Sequence, residues 1–127
     1  MRFAEFDTDA GPLIEAYESD RVQIGGRQYT RGVLVGCELL LADWGPSDPT
    51  ALTAEHLAPL LELVPAQAPQ VVLLGTGNRQ HFPDPAIYGA LLDRGIGVEV
   101  MDTGAACRTY NIIAGEGRRV VAALLID

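Results

Sequence analysis

The sequence predicts an α/β fold, and two observations support this class. In the second half of the chain, continuous apolar runs at residues 71–74, 98–101 and 120–126 alternate with segments of helical spacing. This strand, helix, strand, helix, strand order is typical of layered α/β proteins. In the first half, Gly25 and Gly26 separate two short alternating runs. That pattern predicts a β-hairpin, because both glycines can adopt positive φ.

The length and the charge balance limit the classes of function. The chain has 127 residues, 48% of them apolar and 20% charged, so we expect a single domain, 1–127, with its own core. A net charge of −8 predicts that nucleic acid is not a partner, because phosphates would be repelled. The apolar runs are too short to span a bilayer, and residues 1–12 do not resemble a signal peptide. We therefore expect a cytoplasmic protein without direct membrane insertion.

The first half contains further strands and one interrupted helix. Residues 32–35 and 39–41 are predicted to be buried strands. Thr53 can cap a helix whose apolar positions run to Val64. Pro59 lies inside that segment, and an interior proline costs roughly 3 kcal/mol. The helix is therefore expected to be kinked or to start nearer Pro59.

The second half contains two more predicted helices. Asp84 and Pro85 form a good helix start, and Gly95 ends that helix. Thr103 can cap the last helix, which runs to about Ala114. Since a helix connects the strands at 71–74 and 98–101, we predict that these strands are parallel neighbours.

Two loops are candidates for a binding site because each follows one of these strands. Ligands of open α/β sheets bind beyond the carboxyl ends of parallel strands. Glycines in the loops expose backbone N–H groups, and the start of the last helix adds a partial positive charge. Ordinary tight turns are the alternative interpretation. The predicted pocket for a small anionic or polar ligand comprises Gly75, Thr76, Gly77, Arg79, Thr103, Gly104, Arg108 and Asn111.

A helical wheel divides the last helix into two faces. Ala106, Tyr110 and Ile113 fall on a core face. The opposite side carries Gly104, Arg108, Asn111 and Gly115. We interpret this side either as part of the pocket or as a solvated face with capping glycines.

Cys107 is the one candidate nucleophile in this helix. The helix dipole and Arg108 favour its thiolate, but a catalytic cysteine also requires a base. The two histidines, His56 and His81, have no spacing that ties either of them to Cys107. We therefore predict that Cys107 packs in the core. The sequence predicts no catalytic residue, metal site or cofactor, which makes an enzyme the less favoured class.

Three segments, 72–77, 97–111 and 116–120, resemble the domain-of-unknown-function family four-nine-eight, whose fold is called MTH nine-three-eight-like. Its mitochondrial branch contains a complex I assembly factor. The resemblance implies a three-layer domain with a central mixed sheet, helices around it and an N-terminal β layer. It also implies a last strand antiparallel to its neighbours. The matched positions are Gly75, Thr76, Gly77, Met101, Thr103, Arg108, Thr109 and Asn111.

The resemblance implies a non-enzymatic accessory or assembly protein of the bacterial type, with an unidentified protein partner. The family has no settled catalytic residues. The alternative is a small-anion-binding protein or enzyme that uses the cleft at Gly75–Gly77 and Thr103–Arg108. The sequence does not predict the oligomeric state.

Overall fold

The computed structural model describes residues 11–127, whose strands form two sheets. The predicted fold class is confirmed: a mixed central sheet lies between an N-terminal β layer and short helices. The N-terminal layer is an antiparallel sheet of β1 (Ile14–Glu18), β2 (Arg21–Ile24) and β3 (Arg27–Tyr29). The central sheet has the order β5-β4-β8-β6-β7, made of β4 (Val33–Gly36), β5 (Leu39–Leu41), β6 (Val71–Thr76), β7 (Gly97–Met101) and β8 (Val120–Leu125).

The prediction that two strands are parallel neighbours is confirmed, since β6 pairs in parallel with β7. The expectation for β8 is wrong on one side. β8 is antiparallel to β4 but parallel to β6. A helix connects β7 to β8, and such a crossover returns the chain in its original direction. β8 therefore extends the parallel part of the sheet.

Side chains of the central strands alternate between two hydrophobic cores. In β6, Leu73 belongs to the first core, whereas Val72 and Leu74 belong to the second. The first core lies under the three-stranded sheet and α3 (Thr103–Gly115). The second is covered by α1 (Ala58–Leu61) and α2 (Gly89–Asp93). This alternation follows from the two-residue repeat of a strand, because both faces of the sheet are covered.

The helical segments differ from their predicted bounds. The continuous helix expected from Thr53 to Val64 is wrong: a 3₁₀ turn at Ala54–Leu57 is followed by α1, with Pro59 in its first turn. Proline is tolerated there because the first N–H groups of a helix have no partner within it. Asp84 does cap the next segment, accepting the Ala86 N–H at 2.9 Å, but a 3₁₀ turn precedes α2.

The cap of α3 is Asp102 rather than the predicted Thr103. The Asp102 carboxylate accepts the Ala105 N–H at 2.8 Å, and Thr103 is the first helical residue. Within residues 11–127, no helix is long and apolar enough to cross a membrane. The expectation of no signal peptide concerns residues 1–12, most of which lie outside the described part of the chain.

Candidate functional site

The carboxyl ends of β6, β7 and β8 meet at one edge of the sheet, and Thr103 joins them. Its hydroxyl Oγ1 donates to the Leu125 carbonyl at 2.6 Å and accepts the Gly77 N–H at 2.8 Å. The Thr103 N–H in turn donates to the Gly77 carbonyl at 2.8 Å. The loop after β6, the start of α3 and the end of β8 are thereby held together.

A cleft of about 390 Å³ opens at this edge. The first hairpin closes one side of it with residues 17–19, and the starts of α3 and of the loop after β6 close the other. Four of the eight predicted ligand-binding residues line this cleft: Gly77, Thr103, Gly104 and Arg108.

Tyr17 of β1 covers the start of α3. A β-carbon at Gly104 would lie 2.9 Å from Tyr17 Cε2, so the glycine permits the ring to approach the helix. The Arg108 guanidinium donates to the Tyr17 hydroxyl, and its central carbon lies 5.8 Å from the ring centroid. An anion in the cleft would therefore meet an Arg108 side chain that is already in contact with an aromatic ring.

The other four predicted residues lie elsewhere. Thr76 is buried, and its hydroxyl donates to the Arg79 carbonyl at 2.6 Å and accepts the His81 N–H at 3.0 Å. Gly75 faces α3, where an added β-carbon would lie 3.0 Å from Thr103 Cα. The Arg79 side chain lines a neighbouring depression of about 570 Å³, together with His81 and Asp127.

Asn111 is the residue whose predicted surroundings differ most from the structure. Its side chain is buried against β1, where it accepts the Ile14 N–H at 2.9 Å and donates to the Ile14 carbonyl at 2.8 Å. The interpretation of this helix side as a polar stripe is therefore wrong at Asn111. The reason is that β1 packs along this part of α3 and presents backbone groups that an amide can satisfy.

Cys107 is fully buried in the first core. Burial raises the pKa of its thiol to about 12, an effect that outweighs the opposing influence of Arg108. The side chain is therefore a neutral thiol at physiological pH, which supports the packing interpretation. Cys37, in contrast, is exposed. In residues 11–127, no group of three or more His, Cys, Asp or Glu side chains is arranged to hold a metal ion.

A second cavity, of about 300 Å³, lies at the opposite end of the sheet and was not predicted. It opens between the β4–β5 turn, the loop after α1 and the start of β8, and its apolar walls include Leu39, Leu63 and Val64. Two hydrogen bonds lie at its rim. Gln67 Nε2 donates to the Glu38 carboxylate at 2.5 Å, and Arg119 Nη1 donates to the Ala66 carbonyl at 3.0 Å.

The strand beside this cavity is more exposed than predicted. Leu40 and Leu41 of β5 are 48% and 40% exposed, so the prediction of a buried strand at 39–41 is wrong. The physical reason is that β5 is an edge strand, which has a neighbour on one side only. Three consecutive leucines directly after a two-residue turn were the only signal of this surface in the sequence.

Comparisons with known proteins identify relatives along most of the chain. Residues 14–125 match the profile of a family described as protein of unknown function (DUF498/DUF598). The chain is 34% identical over 115 residues to NADH dehydrogenase [ubiquinone] 1 alpha subcomplex assembly factor 3 of Mus musculus, which covers 88% of this chain and 59% of that protein. The human protein of the same name is 33% identical over the same shares. The chain thus spans less than two thirds of these relatives.

Bacterial proteins match over more of their length. An uncharacterized protein of Rhodobacter capsulatus is 35% identical over 118 residues, covering 91% of this chain and 86% of that protein. A crystal structure from Bordetella parapertussis has a TM-score of 0.82 at 41% identity, covering 93% and 98% of the two chains. A solution structure of a Mth938-like domain from Bordetella pertussis also has a TM-score of 0.82, at 35% identity, covering 100% and 93%.

Proposed function

We propose that this chain, which belongs to the DUF498/DUF598 family of proteins of unknown function, is a non-enzymatic accessory protein of the bacterial type that binds another protein during the assembly of a complex in the cytoplasm. Its similarity to assembly factors over 88% of its length supports this class of function. One observation on the structure carries the proposal: an exposed apolar surface along the edge strand β5. We call this the β5 surface, and it comprises Leu39, Leu40, Leu41, Leu63 and Val64.

The members of the β5 surface are adjacent rather than scattered. Leu39, Leu63 and Val64 line one cavity, and Leu40 and Leu41 continue the strand from Leu39. Val64 is 55% exposed. Single apolar side chains on a surface are ordinary, but a contiguous group with a polar rim is typical of protein interaction sites. Glu38, Gln67 and Arg119 supply that rim.

The cleft at the opposite edge gives less support to an enzyme. Its buried hydroxyl, on Thr103, bonds to backbone groups of the protein, and Arg108 contacts Tyr17. A nucleophile and a base within hydrogen-bond reach are the usual signs of covalent catalysis. Cys107 lies under the cleft as a buried thiol, away from such a role.

The test is affinity capture of the full-length tagged protein from its native cells, followed by identification of bound proteins and metabolites. We expect a specific protein partner with the wild type and its loss with Leu40→Lys, because a charged side chain on an edge strand disfavours apolar contacts. Ile112→Lys is the matched control, since Ile112 is an exposed apolar residue on α3. Recovery of a stoichiometric metabolite without any protein partner would contradict the proposal.

A second candidate function is the binding of a small anionic ligand in the cleft, as a binding protein or an enzyme. The observation that favours it is that Arg108 and the amino end of α3 line the same cleft. Each anion contact would contribute roughly 1.5–3 kcal/mol. Thermal-shift measurements with phosphate, nucleotides and carboxylates test this candidate. Equal shifts in wild type and Arg108→Ala would rule out Arg108 as the anchor.

A further inference from the structure

We infer that the partner presents a short apolar β-strand with basic residues at both ends, and that this strand adds to the central sheet beside β5. The inference rests on the proposed function and names the chemistry of the partner. It combines the backbone of an edge strand, the apolar surface beside it and the charges at its two ends.

The backbone of β5 is available for pairing on its outer side. β5 lies at the end of the central sheet and pairs with β4 alone, in the register Leu34–Leu41, Val35–Leu40 and Gly36–Leu39. Within residues 11–127, no strand pairs with its other side. Alternate residues of an antiparallel strand direct their N–H and C=O groups away from the paired neighbour. Such an edge accepts an additional strand through main-chain hydrogen bonds.

The side chains around β5 require an apolar partner strand. Leu40 points to one face of the sheet and Leu39 and Leu41 to the other, since side chains alternate along a strand. Cross-strand neighbours on the added strand would therefore meet leucines on both faces. The cavity of about 300 Å³ beside Leu39 can accommodate one large apolar side chain of that strand.

The charges at the two ends of β5 specify the flanks of the partner. Glu38 directly precedes the strand and Asp43 follows it by two residues, and both are exposed. The cation nearest to this cavity, Arg119, donates to the Ala66 carbonyl. The whole chain has a net charge of −8. Basic residues at both ends of the added strand would complement this arrangement and raise the association rate.

The same charges disfavour a second copy of this chain as the occupant. In an antiparallel pair of β5 strands centred on Leu40, Glu38 of one copy would lie opposite Ala42 and next to Asp43 of the other. Like charges so placed across a strand pair are destabilising. The acidic ends thus select against self-pairing and favour a basic partner.

The test uses fluorescence anisotropy with the full chain and a labelled synthetic peptide, Val-Thr-Val-Thr-Val with two arginines at each end. We expect saturable binding that weakens as salt is added. The double variant Glu38→Gln, Asp43→Asn should lower the affinity about five- to tenfold, as expected for the loss of surface ion pairs. The matched control, Glu99→Gln with Glu116→Gln, neutralises exposed carboxylates on β7 and at the end of α3, and it should change the affinity less than about twofold.

Two further peptides test the strand geometry. Glutamates in place of the arginines should abolish binding, and a central proline should abolish it too, because proline cannot donate to a ladder. Equal binding of the proline peptide, an equal effect of the control double variant, no binding of the basic peptide at millimolar concentration, or a dimer of the free chain in sedimentation would each overturn the inference.

The outcome separates this inference from the proposed function. A native partner that is lost with Leu40→Lys but retained by the Glu38→Gln, Asp43→Asn variant would overturn the basic-strand inference and leave the accessory function intact. The absence of any protein partner in the capture experiment would contradict both.

Discussion

At the scale of single residues, Asn111 illustrates how a polar side chain can serve the fold rather than a ligand. Its amide satisfies both backbone groups of Ile14 at the start of β1, inside the protein. Helical spacing alone placed it beside Arg108, on the side predicted to be polar. Spacing cannot show which strand will pack against that side, since β1 lies almost a hundred residues away in the sequence.

We expect Asn111→Ala to destabilise the protein by roughly 2–4 kcal/mol, because two buried backbone groups would lose their partners. Urea denaturation followed by circular dichroism measures the change in the free energy of unfolding. Ile112→Ala is the control, since its side chain is 65% exposed and such substitutions usually cost less than about 0.5 kcal/mol. Similar losses in the two variants would contradict the role given to Asn111.

Cys107 should react slowly with thiol reagents in the folded protein. Burial raises the pKa of this thiol from 9.0 to about 12, and the reactive species is the thiolate. The measurement is labelling at neutral pH of a Cys37→Ser variant, which leaves Cys107 as the single thiol. Labelling of native Cys107 faster than that of a free thiol would overturn the packing interpretation.

The same pKa shift predicts a pH dependence of stability. The unfolded chain releases the Cys107 proton near pH 9, whereas the folded chain holds it to about 12. The contribution is therefore complete below pH 9 and is lost as the pH rises towards 12, by roughly 1 kcal/mol at pH 10. We expect the free energy of unfolding of Cys107→Ala to fall less steeply between pH 8.5 and pH 10.5. Parallel curves for variant and wild type would contradict this expectation.

At the scale of elements, Thr103 connects the loop after β6, α3 and β8. We expect Thr103→Val to destabilise the protein by roughly 2–4 kcal/mol, because the Gly77 N–H and the Leu125 carbonyl would lose their partner. Thr103→Ser retains the hydroxyl and should cost much less. Thermal or urea unfolding of the two variants distinguishes a role of the hydroxyl from one of the methyl group.

The elements also show which patterns in the sequence were sufficient. The runs at 71–74 and 98–101 predicted neighbouring parallel strands, because continuous apolar residues and a connecting helix leave few other arrangements. The leucines at 39–41 gave the correct strand but the wrong burial. An edge strand and a central strand can carry the same residues, and only the strand order separates them. Pro59 correctly marked a weakness in its helix but not the 3₁₀ turn that replaces it.

Four of the predicted site residues do converge on one cleft, because parallel strands bring their following loops to one edge. The others do not, since Gly75 and Thr76 serve close packing and a turn. The cavity beside Leu39 could not be predicted, because residues from the β4–β5 turn, the loop after α1 and β8 form it together. No local pattern reports such a meeting of distant segments.

At the scale of the whole molecule, the central sheet supplies both cores. Val121 and Ala123 of β8 face the second core, and Ala122 and Leu124 face the first. Neither core can be lost while the other keeps its central strands. Cooperative unfolding in one step is therefore expected, in agreement with the prediction of a single domain.

Two probes test this cooperativity, one in each core. Trp44, the single tryptophan, lies in the second core and Cys107 in the first. In the Cys37→Ser variant, we expect Trp44 fluorescence and Cys107 labelling to change at the same urea concentration. Labelling at a distinctly lower concentration would show that the first core opens independently.

The position of β8 has a consequence for the order of events during synthesis. β8 lies between β4 and β6 in the sheet, although it is the last strand along the described chain. A nascent chain that has not yet emerged past Val120 has no strand to bridge β4 and β6, so both cores remain open towards water. Long-range pairing of this kind delays folding and leaves apolar surface exposed in the meantime. The protein must therefore be almost completely translated before its centre can close, and translation arrested ahead of β8 would leave an aggregation-prone fragment.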